Sequence, residues 1–136
     1  MDIIRHILLL IIVIIFSLTT ATGDTDKVKS LLREKKYAES IALVDNSKNI
    51  EDSKKGELSV GIVKLLLRKK KYDQSIKLVD NSKYIEDSKK GELSVGIVKL
   101  LLRKKKYDQS IELTKSTKYM DDEDKKRMIS KIESAK

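Results

Sequence analysis

The sequence predicts an all-α protein: a short α-solenoid of about three helix-turn-helix repeats with a C-terminal capping helix, preceded by an N-terminal hydrophobic signal or anchor helix. Three observations predict it. Residues 36–70 and 71–105 align without a gap and are identical at 31 of 35 positions, differing only at Ala38/Asp73, Glu39/Gln74, Ala42/Lys77 and Asn49/Tyr84. A fixed period of this length marks a stacked repeat. Within each period, apolar residues recur at three- and four-residue spacings, which is the period of a helix. Finally, apolar residues make up 40% of the chain, yet many sit in the first 21 positions. The remainder is lean for one globular core but sufficient for units that bury themselves on their neighbours.

The N-terminal segment comes first. Ile7 to Leu18 is a 12-residue apolar run, preceded by Arg5 and followed by Thr19-Thr20-Ala21-Thr22-Gly23. A short positive region, an apolar core and small residues at a cleavage site describe a signal peptide. Cleavage after Gly23 or after Ala21 satisfies the small-residue pattern, and residues 1–23 form the expected signal segment. The alternative is an uncleaved single-pass anchor, since Ile7 to Gly23 is 17 uncharged residues, at the lower limit of a membrane span. Lys27, Lys29, Arg33, Lys35 and Lys36 follow the segment closely. An uncleaved span would therefore tend to hold the repeats in the cytoplasm, whereas cleavage would export them.

The repeat domain is expected over residues 24–136, with units at about 24–52, 53–87 and 88–120 and a capping helix at about 121–135. Asp24-Thr25-Asp26 supplies helix caps and first-turn acids. A first helix to about Lys36 carries Val28, Leu31 and Leu32. Tyr37 marks a turn, and a short helix from about Ala38 to Lys48 carries Ile41, Leu43 and Val44. Asp52-Ser53 caps a long helix from Ser53 to about Lys70, some 27 Å in length. Its apolar residues Leu58, Ile62, Val63, Leu65 and Leu66, widened by Val60 and Leu67, cover more than one face. Such a helix needs neighbours on two sides. Gly56 and Gly61 each cost about 1 kcal/mol relative to alanine in a helix; close helix approach and duplication of a neutral residue are both open explanations.

The pattern recurs with Tyr72, a short helix bearing Ile76, Leu78 and Val79, and a long helix capped at Asp87-Ser88 and running to Lys105. A third short helix, from about Asp108 to Lys118, carries Ile111 and Leu113. Asp121-Asp122-Glu123-Asp124 opens a last helix to about Ser134, with Met128, Ile129 and Ile132 on one side and charge elsewhere, as a terminal cap requires.

Two helices of unequal length, with Tyr72, Asp73-Gln74, Ser75 and Ile76 opening the second, resemble a tetratricopeptide repeat. Tyr37 to Ile41 and Tyr107 to Ile111 match in the same way. The resemblance makes Tyr37, Ile41, Tyr72, Ile76, Tyr107 and Ile111 repeat-packing residues. The sequence departs from the family at Lys70 and Lys105, where a turn glycine is usual, and at Val63 and Val98, where a small residue is usual. A pentatricopeptide repeat, which has the same period and binds single-stranded RNA, is the runner-up. A secretory signal argues against it.

Chemistry is poorly provided for. The only histidine, His6, lies in the signal segment, and there is no cysteine. A mature chain would lack the usual base near neutral pH, thiol nucleophiles and most transition-metal ligands. The five glycines are isolated, so no phosphate loop is present. The acidic run Asp121 to Asp124 lacks the ligand spacing and turn glycine of a calcium loop and reads as a helix N-terminus. The expectation is a non-enzyme with no cofactor, no metal and no small-molecule substrate.

What the sequence offers is a basic surface, with 30 basic against 21 acidic residues and a net charge of +9. The resemblance implies that the long helices line a groove, which would carry Lys29, Leu32 and Arg33 in the first unit. Glu57, Val60, Lys64, Leu67 and Arg68 would follow, then Glu92, Val95, Lys99, Leu102 and Arg103. Lys29, Arg33, Lys64, Arg68, Lys99 and Arg103 are thus the candidate binding residues for a protein or peptide segment carrying carboxylates. The alternatives are a polyanion partner (an anionic membrane surface, a cell-envelope polymer or RNA), which would weaken steeply with salt, and a purely structural repeat. Nucleic acid is disfavoured by the lack of stacking platforms, for only Tyr84 and Tyr119 lie outside the repeat-packing tyrosines.

Overall fold

The computed structural model describes residues 23–136, together with Ile3 and Ile4. Among the described residues there are seven helices and no strand. Helix α1 is described over residues 23–33. It is followed by α2 (Tyr37–Asn46), α3 (Asp52–Arg68), α4 (Tyr72–Asn81), α5 (Asp87–Arg103), α6 (Tyr107–Ser116) and α7 (Asp122–Ala135). Long and short helices alternate as the period requires. The apolar run Ile7 to Leu18 lies outside the described residues, and among those residues no helix is long and apolar enough to cross a membrane.

Each long helix stops in the same way. Lys35, Lys70 and Lys105 take the left-handed conformation, with φ of 62°, 60° and 59°. The amide of each donates to the carbonyl three residues back (Leu32, Leu67, Leu102), and the next amide reaches five residues back (Leu31, Leu66, Leu101). This is the paired-bond Schellman ending, usually closed by glycine. Left-handed backbone costs an L-residue about 1–2 kcal/mol. The endings place the last helical residues at 33, Arg68 and Arg103, two or three earlier than the sequence suggests.

Two other boundaries are corrected. Tyr37, Tyr72 and Tyr107 are the first residues of the short helices, not turn residues before them. Asp52 and Asp87 are helical rather than caps; the N-cap of α5 is Glu86, which is extended and makes no side-chain cap bond. The longer glutamate side chain suits the cap position poorly, and Asp87 instead places its charge in the positive first turn. Asp24, expected as a cap, accepts hydrogen bonds from Ser47 Oγ at 2.6 Å and Asn49 Nδ2 at 3.4 Å.

The short helices also end alike. Ser47, Ser82 and Thr117 are extended, and their amides donate to Leu43, Leu78 and Leu113. Each hydroxyl accepts the amide two residues on, from Asn49, Tyr84 and Tyr119, at 3.1–3.3 Å. These turns direct the chain from each short helix into the next long one.

The chain forms two compact units, Met1–Lys55 and Gly56–Lys136. In the first, Val28, Tyr37, Val44 and Ile50 are buried. In the second, α4 packs on α5, α5 on α6 and α6 on α7. Its core comprises Ile62, Val63 and Leu66 of α3, Leu78 and Val79 of α4, Ile97, Val98 and Leu101 of α5, Leu113 of α6 and Ile132 of α7. Burial of each such side chain contributes about 1.5–3 kcal/mol. Ile132 is the one fully buried residue of α7, so that helix covers α6 with one side and wets the other.

The glycines divide. A Cβ on Gly56 would lie 2.5 Å from the Tyr84 carbonyl oxygen, and one on Gly91 would lie 3.0 Å from that of Tyr119. Here the turn after a short helix crosses the start of a long helix backbone to backbone. Gly61 and Gly96 have nothing within 4 Å. The position corresponding to Gly56 and Gly91 in α7 is Lys126, which is exposed.

Candidate functional site

The positions singled out on the long helices form one stripe per helix. In α3, Lys64 and Arg68 are exposed while Val60 and Leu67 are half-buried; α5 repeats this with Lys99, Arg103, Val95 and Leu102. The spacing i, i+4, i+7, i+8 places each set on one side of its helix. In the first unit, Lys29 and Arg33 of α1 are exposed beside half-buried Leu32. None of these six cations pairs with a carboxylate among the described residues. Glu92, on the same stripe of α5, is held by Lys89 at 3.2 Å.

Helix α7 closes the stripe in the second unit. Val95 and Lys99 of α5 share a depression of about 310 Å³ with Met120 and, from α7, Met128, Arg127, Asp124 and Lys131. Its floor is methionine and valine, and its rim is mostly cationic. Arg127 is engaged with Asp124 at 3.0 Å and lies 3.9 Å from Glu123, whereas Lys99 and Lys131 are exposed and form no ion pair among the described residues.

The acidic run at the start of α7 is structural. Asp121 is the N-cap and accepts the Asp124 amide at 2.7 Å, and Glu123 and Asp124 face Arg127. Among the described residues no three His, Cys, Asp or Glu side chains converge as metal ligands.

Of the residues assigned to repeat packing, Tyr37 and Tyr72 are buried, whereas Tyr107, Ile41, Ile76 and Ile111 are half-buried. The completely buried member of each motif is the serine: Ser40, Ser75 and Ser110. Ser40 and Ser75 donate to the carbonyls of Tyr37 and Tyr72, and Ser110 donates to Val98 of α5 at 3.2 Å. A hydroxyl satisfied by backbone lets helices approach without leaving a polar atom unpaired.

A set of lysines escaped the sequence reading. Lys55 and Lys90 are each only 6% exposed. Lys55 Nζ donates to the Asp45 carbonyl near the end of α2 at 3.3 Å, and Lys125 does the same to Lys115 at the end of α6 at 3.2 Å. Both meet the negative pole of a short helix. Lys90 donates to the Tyr119 hydroxyl at 3.2 Å and lies 5.1 Å from its ring centroid. The available signal was the survival of lysine at 55, 90 and 125 although the third unit has drifted elsewhere. Charge normally implies exposure, which masks it.

Comparison of the chain with protein-family models, with curated proteins and with solved structures returns no match.

Proposed function

We propose that this protein is a non-enzymatic, exported binding module whose long helices hold an acidic peptide segment. The observation that carries the proposal is the repeated stripe of exposed cations beside half-buried aliphatic residues, none of them neutralised from within the described chain. An acidic peptide satisfies both halves of that surface: carboxylates against Lys64, Arg68, Lys99 and Arg103, and aliphatic side chains against Val60, Leu67, Val95 and Leu102. The resemblance of the Tyr-Asp-Gln-Ser-Ile motif to tetratricopeptide repeats, which implies a groove lined by the long helices, supports the same reading.

The test is capture from a library of acidic and basic peptides by the full chain and by K64E/K99E. Charge reversal is expected to weaken acidic-peptide binding by about tenfold or more, because each change removes an attraction and adds a repulsion. Unchanged capture by a folded K64E/K99E protein would remove the groove from consideration. Export is tested separately by intact mass in fractionated native cells. A species lacking residues 1–23 outside the cytoplasm supports it; a full-length species in the membrane fraction replaces it with an anchored module.

A further inference from the structure

We propose that the turn joining α3 to α4 carries a second binding site, for phosphate groups, built from Lys70, Lys71 and Lys106. It does not rest on the peptide-binding reading, because it lies at the tips of the hairpins and uses none of the stripe residues. Lys70 and Lys71 leave the end of α3, the first in the left-handed conformation that turns the chain. Lys106 arrives from the next turn, with its ammonium 5.9 Å from the centroid of the Tyr72 ring. These three lysines line a single open depression of about 390 Å³, in which Asp73 is the one carboxylate.

The constellation occurs twice. One repeat further on, Lys105, Lys106 and Asp108 line a depression of about 550 Å³. Its third lysine is Lys136, beyond the end of α7, whose Nζ lies 3.5 Å from Asp108. Lys136 has no counterpart at that place in the repeat, so the same set of three ammonium groups and one carboxylate is completed from unrelated parts of the sequence. Duplication alone does not account for that.

The charge excess favours a phosphate monoester over a single carboxylate. Around the α3–α4 turn, three side-chain cations against one carboxylate leave an excess of two positive charges, which matches the roughly −1.5 to −2 charge of a phosphate monoester; because Lys106 is shared, the two depressions together hold five lysines against two carboxylates, an excess of three. Lysine ammonium groups act there as compact, freely rotating point charges, a mode in which lysine binds phosphate. Because Lys106 lines both depressions, a ligand with several phosphate groups would engage them together.

The test uses the full chain, with inorganic triphosphate as soluble probe and phosphatidylcholine vesicles containing phosphatidylserine as lipid probe. Variants are K71Q/K106Q, D73N and the stripe control K64Q/K99Q, each checked for native helicity. Triphosphate affinity is expected to fall about tenfold in K71Q/K106Q, to stay within about twofold in K64Q/K99Q, and to rise about threefold in D73N as the opposing charge is removed. The same ranking with vesicles alone would assign the phosphate to a lipid headgroup and still support the site. Absence of saturable binding of both probes overturns the proposal. So do equal losses in the two lysine pairs, or a D73N protein that binds no more tightly. The gain expected of D73N keeps the test decisive should K71Q/K106Q fail to fold.

Discussion

Two glycines five residues apart on one helix should respond oppositely to the same substitution. At Gly61 an added methyl meets nothing within 4 Å. Gly61→Ala therefore keeps only the gain in helix propensity, about 1 kcal/mol. At Gly56 the methyl carbon would stand 2.5 Å from the Tyr84 carbonyl oxygen, where ordinary contact begins near 3.4 Å. The atom in the way is backbone, anchored by the bond from the Tyr84 amide to Ser82 Oγ at 3.3 Å, so it cannot swing aside as a side chain would. Overpacking of this kind costs about 1–3 kcal/mol, which cancels or exceeds the propensity gain. Gly91→Ala meets the Tyr119 oxygen at 3.0 Å and should fall between. The expected order of stability is Gly61→Ala and Gly96→Ala above the parent, then Gly91→Ala, then Gly56→Ala. Urea and thermal unfolding of the full chain read it directly, with about 1 kcal/mol moving Tm by roughly 4–5 °C for a domain of this size. Equal shifts at Gly56 and Gly61 would refute the backbone approach.

Other substitutions probe the remaining devices. Lys70→Gly and Lys105→Gly should each stabilise by about 0.5–1 kcal/mol, the left-handed strain relieved less the entropy of glycine; a loss in urea midpoint would contradict the Schellman endings. Tyr119→Phe removes the acceptor of the buried Lys90 ammonium and should cost about 1 kcal/mol, measured in the same way. Asp121→Ala should cost about 1 kcal/mol and speed amide exchange at the start of α7 first, because its cap bond to Asp124 is lost.

Much of the architecture was legible because it is written locally. The spacing of Leu58, Ile62, Leu65 and Leu66 announces a helix whatever it packs on, and the copy at Leu93, Ile97, Leu100 and Leu101 announces its repetition. Boundaries were less legible. Lys70 looks like one more helix-favouring lysine, and only the turn into α4 puts it at φ 60°. The candidate stripe was placed by the period, since residues 35 apart must occupy equivalent positions, and the structure adds that its cations are exposed and without carboxylate partners among the described residues. Lys106 beside Tyr72, by contrast, joins two turns that are distant in the chain, and no local pattern records that meeting.

By itself, then, the sequence determined the helical class, the period, the basic composition and the absence of cysteine and of any histidine beyond His6, since each depends on residues and their near neighbours. The tertiary structure decided which glycines are held against a crossing backbone and which lie open. It also decided which lysines are buried against helix ends and which cations gather in one depression. Those distinctions belong to atoms brought together from different helices and turns. Identical residues in one repeat, such as Gly56 and Gly61, differ only in what the rest of the chain lays across them.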